Sequence, residues 1–190
     1  MAIELPVATR ARLAELQVAL GVSGSGWRWV RPESLHLTLR FLGEVPDGLD
    51  ASAREAWRGA AAGGGPFTLR AEGIGVFPSP GRPRILWVGL REIDPGDRLA
   101  ALAEAVERAA CGLGLAPAER AFRPHLTIAR AARDARPSAP TDPGWADPDP
   151  FVAHEMVLLR SELHPSGARY TALARYRLGG ETIPPSGADG

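Results

Sequence analysis

Along LHLTLRFL, residues 35–42, Leu35, Leu37, Leu39 and Phe41 alternate strictly with His36, Thr38, Arg40 and Leu42. A two-residue period predicts a strand with one apolar face. The same reasoning places strands over 67–76, 84–90 and 125–129, a looser one at Trp27–Val30, and a short apolar strand over 1–5. Pro6 suits a helix start, and Leu13, Leu16, Val18 and Leu20 supply an apolar face to about residue 20. The Ala-rich 49–62 segment, closed by Gly63-Gly64-Gly65, reads as a second helix. A third follows Asp94-Pro95-Gly96-Asp97, with Leu99, Leu102, Ala103 and Val106 inward, and closes near Gly112. Residues 151–163 and 169–178 read as a hairpin about His164-Pro165-Ser166-Gly167. The Pro-, Asp- and Ala-rich 131–150 stretch predicts an exposed loop, and 179–190 a disordered tail. Strands interleaved with about three helices predict an α+β or α/β domain over 1–178.

Composition narrows the chemistry. The 190 residues carry 22 basic and 22 acidic side chains, a balance that argues against a general DNA binder. Every basic residue is Arg, so neither a Schiff-base lysine nor a Walker loop is available. A single Cys, Cys111, rules out an intrachain disulfide and a Cys-cluster metal site, and its helical setting predicts a small buried hydrophobe. No apolar run approaches the roughly 18 residues that span a bilayer, and no signal peptide is recognised. The expectation is a cytoplasmic monomer.

Two motifs stand out. His36-Leu37-Thr38-Leu39 and His125-Leu126-Thr127-Ile128 repeat the same pattern on predicted strands. With only 4 His in the chain, two chance occurrences of His-x-Thr are improbable. Alternation projects each His and its Thr from one face, roughly 6.5–7 Å apart at Cα. Two such pairs facing each other suit a phosphate ester: one imidazole as base, the other as acid, with hydroxyls for the equatorial oxygens. A single His-Thr pair can merely hydrogen-bond across a sheet; the repetition argues against that. A zinc site would lack its usual third ligand, and no G-x-S-x-G elbow supports a serine triad. Arg40 shares the His36 face if its strand stays regular. Arg130, five residues beyond His125, faces away unless the strand ends or bulges near Ala129. Arg123 is a further candidate. His154 and His164, with no Thr two residues on, are read as non-catalytic.

The paired motifs resemble those of the 2H phosphoesterase superfamily. IELP, WVRPESLHLTLRFLGEV, RILWVGL, FRPHLTIAR and SELHPSGARYTALARYRL occur in the order expected of its RNA 2′,3′-cyclic phosphodiesterases, also called 2′-5′ RNA ligases. The resemblance implies a bilobal α+β fold with pseudo-twofold symmetry, antiparallel sheets lining a central cleft and helices outside. It implies no metal and no cofactor, with His36 as proton donor, His125 as proton acceptor, and Thr38, Thr127 and Arg130 on the phosphate. The implied substrates are RNA ends or nucleotides carrying a 2′,3′-cyclic phosphate, hydrolysed to a 2′-phosphomonoester, with 2′-5′ ligation as the reverse. Phe41 or Trp29 could stack on a base, although strict alternation assigns Phe41 to the core. The alternatives are a phosphodiesterase for small cyclic nucleotides or 2′-5′ oligonucleotides, and a non-catalytic nucleotide-binding module. A purely structural protein would need neither histidine for activity.

Overall fold

The computed structural model describes residues 1–21, 26–44, 50–164 and 167–180. Nine strands and three helices follow in the order β1 (Ala2–Glu4), α1 (Val7–Gly21), β2 (Trp27–Trp29), β3 (His36–Thr38), α2 (Ala51–Ala62), β4 (Phe67–Phe77), β5 (Ile85–Glu92), α3 (Arg98–Gly112), β6 (His125–Ala131), β7 (Phe151–Ala153), β8 (Glu155–Glu162) and β9 (Arg169–Arg177). All strand pairs are antiparallel, in one sheet ordered β7-β4-β5-β6-β3-β1-β8-β9, with β2 added beside β6. The β3–β6 joint divides that order into two four-stranded halves.

The two halves meet again at their far sides. β7 pairs with β4, β8 pairs with β1 and β9, and only His154 separates β7 from β8. Consecutive Cα atoms lie about 3.8 Å apart, so one intervening residue forces the sheet to curl back on itself. The result is a curled half-barrel with the helices packed on it.

Each helix buries the face its periodicity dictates. On α1 the buried positions are Thr9, Leu13, Leu16 and Gln17. Val18, expected inward, is 72% exposed because it lies a further 100° or so around the helix from Gln17. On α2, the Asp50 carboxylate accepts from the Ala53 N–H at 2.8 Å and caps the first turn, while Trp57, Ala60 and Ala61 face the core. On α3, Leu99, Leu102, Ala103, Val106 and Ala110 are buried. Its first turn is capped from β5, where the Glu92 carboxylate accepts from the Leu99 N–H at 2.8 Å. Cys111, expected to be buried, is exposed at the end of α3, next in sequence to the inward Ala110.

Two other expectations change. The predicted 151–163 strand is split at His154, where the chain passes from one half of the sheet to the other. The 131–150 loop is tied down at its far end. Asp142 accepts from the Ile74, Gly144 and Trp145 N–H groups, Asp147 is buried, and its N–H donates to Ala71 at 2.8 Å. Of the predicted tail, Gly179 donates to the Ala61 carbonyl, and 181–190 lie outside the described residues.

Candidate active site

The site grows from a single pairing. Leu37 of β3 lies directly opposite Leu126 of β6, and both are fully buried. In an antiparallel pair that register sets His36 opposite Thr127, and Thr38 opposite His125. The four side chains therefore point away from the core onto one face, each His beside the other motif's Thr. Directly opposite residues have Cβ atoms about 4.5–5.5 Å apart, and the diagonal histidines are about 7–8 Å apart at the backbone. The local twofold axis passes between the two leucines.

Both imidazoles are held the same way. His36 Nδ1 donates to the Ser34 carbonyl at 2.9 Å, and His125 Nδ1 donates to the Arg123 carbonyl at 2.6 Å. A carbonyl only accepts, so Nδ1 carries the proton and Nε2 is left for the open face. Each ring also meets an aromatic edge: His36 with Tyr170 at a centroid distance of 4.6 Å, His125 with Phe77 at 5.1 Å. The Trp87 indole lies behind Phe77, 5.3 Å away, over the strand position of Gly75. A Cβ on Gly75 would fall 2.1 Å from that ring, so only Gly allows the indole to lie there. Burial is the main cause that pulls the His36 pKa below its ordinary value, and the Arg130 charge acts in the same direction.

Arg130 reaches this face through a bulge. Leu86 opposes Ala129 and Trp87 opposes Thr127, which leaves Ile128 without a partner on β5. Ile128 and Ala129 are both buried, so the alternation slips by one and Arg130 emerges beside the motif. The other edge of β6 changes partner at the same place, from β3 to β2. There the Ile128 carbonyl accepts from the Val30 N–H at 2.9 Å and from Gln17 Nε2 at 2.9 Å. Gln17 Nε2 also donates to the Val30 carbonyl at 2.7 Å. A side chain from α1 thus satisfies the backbone where β2 and β6 part from the regular ladder.

Arg40 goes elsewhere. The Leu39 and Arg40 N–H groups both donate to the Met1 carbonyl, at 2.9 and 3.1 Å, so β3 also bulges just past its motif. The Arg40 guanidinium pairs with Glu107 of α3 at 2.8 Å and bonds the Ala116 carbonyl. Expected on the His36 face of a regular strand, it is instead turned to α3 by the slip. The same slip releases Phe41 from the core face assigned by strict alternation, leaving it 75% exposed. Trp29 packs against α1, where a Cβ on Gly21 would lie 3.5 Å from its ring, and is not an open stacking platform. His154 sits at the β7–β8 junction, its carbonyl accepting from the Leu178 N–H, and His164 is exposed after β8.

Gln17, Tyr170, Phe77 and Trp87 were not singled out from sequence. A polar residue four positions after Leu13, on the buried face of α1, was the available signal for Gln17. Nothing local marks Tyr170, which arrives from β9 through the curl of the sheet. Among the described residues, no three His, Cys, Asp or Glu side chains gather to hold a metal ion, and no helix is long and apolar enough to cross a membrane.

The chain is similar to known proteins. The family described as LigT-like phosphoesterase matches residues 3–87, which include the first motif. Relatives match most of the chain. An RNA 2′,3′-cyclic phosphodiesterase of Thermus thermophilus is 36% identical over 95% of this chain and 89% of its own. One of Escherichia coli is 32% identical over 93% of this chain and 94% of its own. The crystal structure of TT0787 of Thermus thermophilus superposes with a TM-score of 0.80 at 32% identity, covering 95% of this chain and 97% of that one. Escherichia coli LigT has been crystallised with 3′-AMP and with phosphate. Two histidine motifs joined across one strand pair, in a chain similar over more than nine-tenths of its length to these enzymes, make this protein a member of the LigT-like phosphoesterases of the 2H phosphoesterase superfamily.

Proposed function

We propose that this protein hydrolyses the terminal 2′,3′-cyclic phosphate of RNA to a 2′-phosphomonoester, by acid-base catalysis between its two histidines. The observation that carries the reading is the Leu37–Leu126 register, which sets each imidazole beside the opposite motif's hydroxyl on one face. The full-length relatives named RNA 2′,3′-cyclic phosphodiesterase support the choice of substrate.

In this reading His125 Nε2 takes a proton from water as the water oxygen bonds to phosphorus. The bond from phosphorus to O3′ breaks, and His36 Nε2 gives its proton to O3′. The products are a 3′-hydroxyl and a 2′-phosphomonoester. Thr38 and Thr127 donate to non-bridging oxygens, and Arg130 meets the charge that builds there. Phe41, exposed just past the first motif, offers a face to the terminal base. No step calls for a metal. With a 5′-hydroxyl in place of water as the nucleophile, the same bond to O3′ breaks and the same groups make a 2′-5′ linkage. The protein acts as a cytoplasmic monomer.

The test is a short RNA ending in a 2′,3′-cyclic phosphate, incubated with EDTA and wild type, His36→Ala or His125→Ala. Wild-type turnover to a 2′-monoester, lost by about 10²–10⁴-fold in each variant, is expected. A folded wild type that leaves the end intact would overturn the reading.

A further inference from the structure

Arg28 of β2 lies directly opposite Arg130 of β6. Directly opposite residues of an antiparallel pair project from the same face, so Arg28 stands beside the arginine that serves the site. Its neighbours in β2 confirm the face. Trp27 and Trp29 are partly buried against the core, and Trp29 packs on α1, while Arg28 between them is exposed.

Like charges directly opposite on a ladder repel. Some arginines elsewhere are paired with carboxylates: Arg40 with Glu107, Arg91 with Glu72, Arg98 with Asp94, Arg175 with Glu4. Neither Arg28 nor Arg130 has a carboxylate partner among the described residues. Two adjacent guanidinium groups with no protein counter-charge form an anion site wider than one phosphate needs. Arg130 emerges on the exposed face just past the second motif, and the proposed reaction gives it to the reacting phosphorus. Arg28 is the next cation outward along the same row.

We infer that Arg28 forms a second phosphate subsite, which takes the phosphodiester next to the reacting end of an RNA strand. The inference rests on the cyclic-phosphodiesterase reading of the two-histidine site. It identifies the substrate class as RNA ends of at least two nucleotides, in preference to cyclic mononucleotides. A guanidinium suits this task, since its fork fits two oxygens of one phosphate.

Binding tests it apart from turnover. The ligands are a 2′-phosphorylated dinucleotide with its natural internal diester, and the same compound with an uncharged methylphosphonate there. Calorimetry on the wild type should show about tenfold tighter binding of the diester, equivalent to about 1.4 kcal/mol. Arg28→Ala should erase that preference, and Arg28→Lys should keep part of it. The slope of log affinity against log salt for the diester should fall by roughly 0.7 in Arg28→Ala, one single-strand phosphate contact. Equal binding of the two ligands by the wild type would overturn the inference. So would an Arg28→Ala variant that weakens both ligands alike, which would assign Arg28 to the reacting phosphate. Absence of turnover on cyclic ends, with the diester preference intact, would instead count against the catalytic reading alone.

Discussion

The two halves of the molecule use one device for different ends. Each supplies a His-Leu-Thr strand to the central pair, and each strand bulges just past its Thr. In the first half the slip sends Arg40 to Glu107 on α3 and leaves Phe41 in the open. In the second it returns Arg130 to the histidine face, with the Ile128 carbonyl held by Gln17. The acid-base and hydroxyl groups are thus symmetric, while the cation and the aromatic surface are not. A symmetric frame places two imidazoles on one face, and the differing bulges put Arg130 beside them on one side and leave Phe41 exposed on the other.

The first way to break this comparison is to remove the symmetric part. His36→Ala and His125→Ala should each cost about 10²–10⁴ in kcat on a cyclic end, with similar losses on the two sides. A loss confined to one variant would mean that only one half carries the chemistry.

Next come the asymmetric arginines. Arg130→Ala should lower kcat by about 10²–10³, the usual cost of one positioned charge donor. Arg40→Ala should instead reduce stability by about 1 kcal/mol, because it removes a partly exposed ion pair with Glu107. Chemical denaturation with steady-state kinetics separates the two outcomes. An Arg40→Ala variant that folds as well as wild type but loses phosphate affinity would return Arg40 to the site.

Gln17→Leu should have a smaller effect through Arg130. It removes the donor to the Val30 carbonyl and leaves the Ile128 carbonyl with the Val30 N–H alone, at a cost of about 1–3 kcal/mol in stability. If Gln17 sets the bulge that aims Arg130, kcat/KM should also fall, and the fall should vanish in an Arg130→Ala background. An undiminished fall in the double variant would make Gln17 a matter of stability only.

The subtlest effect is on pH. Burial lowers the His36 pKa, so the protonated acid is lost from the free enzyme at a pH below the ordinary His value of about 6.5. The falling limb of kcat/KM set by His36 should therefore lie on the acid side of that value. Tyr170 covers the His36 ring edge, so Tyr170→Ala should wet the imidazole, raise its pKa and move that limb to higher pH. Tyr170→Phe should leave it near the wild-type position.

What could be read in the sequence was what alternation controls. His36, Thr38, His125 and Thr127 share a face because each pair is two residues apart, and the inward face of α3 follows its 3.6-residue period. The condition on Arg130 was also legible: it needed a bulge near Ala129, and the bulge falls at Ile128. The bulge itself was not legible, because it depends on which strand lies alongside. The matching slip past Leu39 misplaced both Arg40 and Phe41. Tyr170 escaped notice for the same reason, since the curl of the sheet, and nothing local to β9, brings it to His36.

The central claim, that His36 and His125 work as acid and base across one phosphorus, is tested most directly by changing the leaving atom. A 2′,3′-cyclic end with sulfur in place of O3′ releases a thiolate, which departs without needing a proton. The rates of His36→Ala and His125→Ala would be compared on this substrate and on the natural one. The account predicts that sulfur restores His36→Ala to within about tenfold of wild type and leaves His125→Ala impaired. Restoration of His125→Ala, with His36→Ala still impaired, would contradict the assignment.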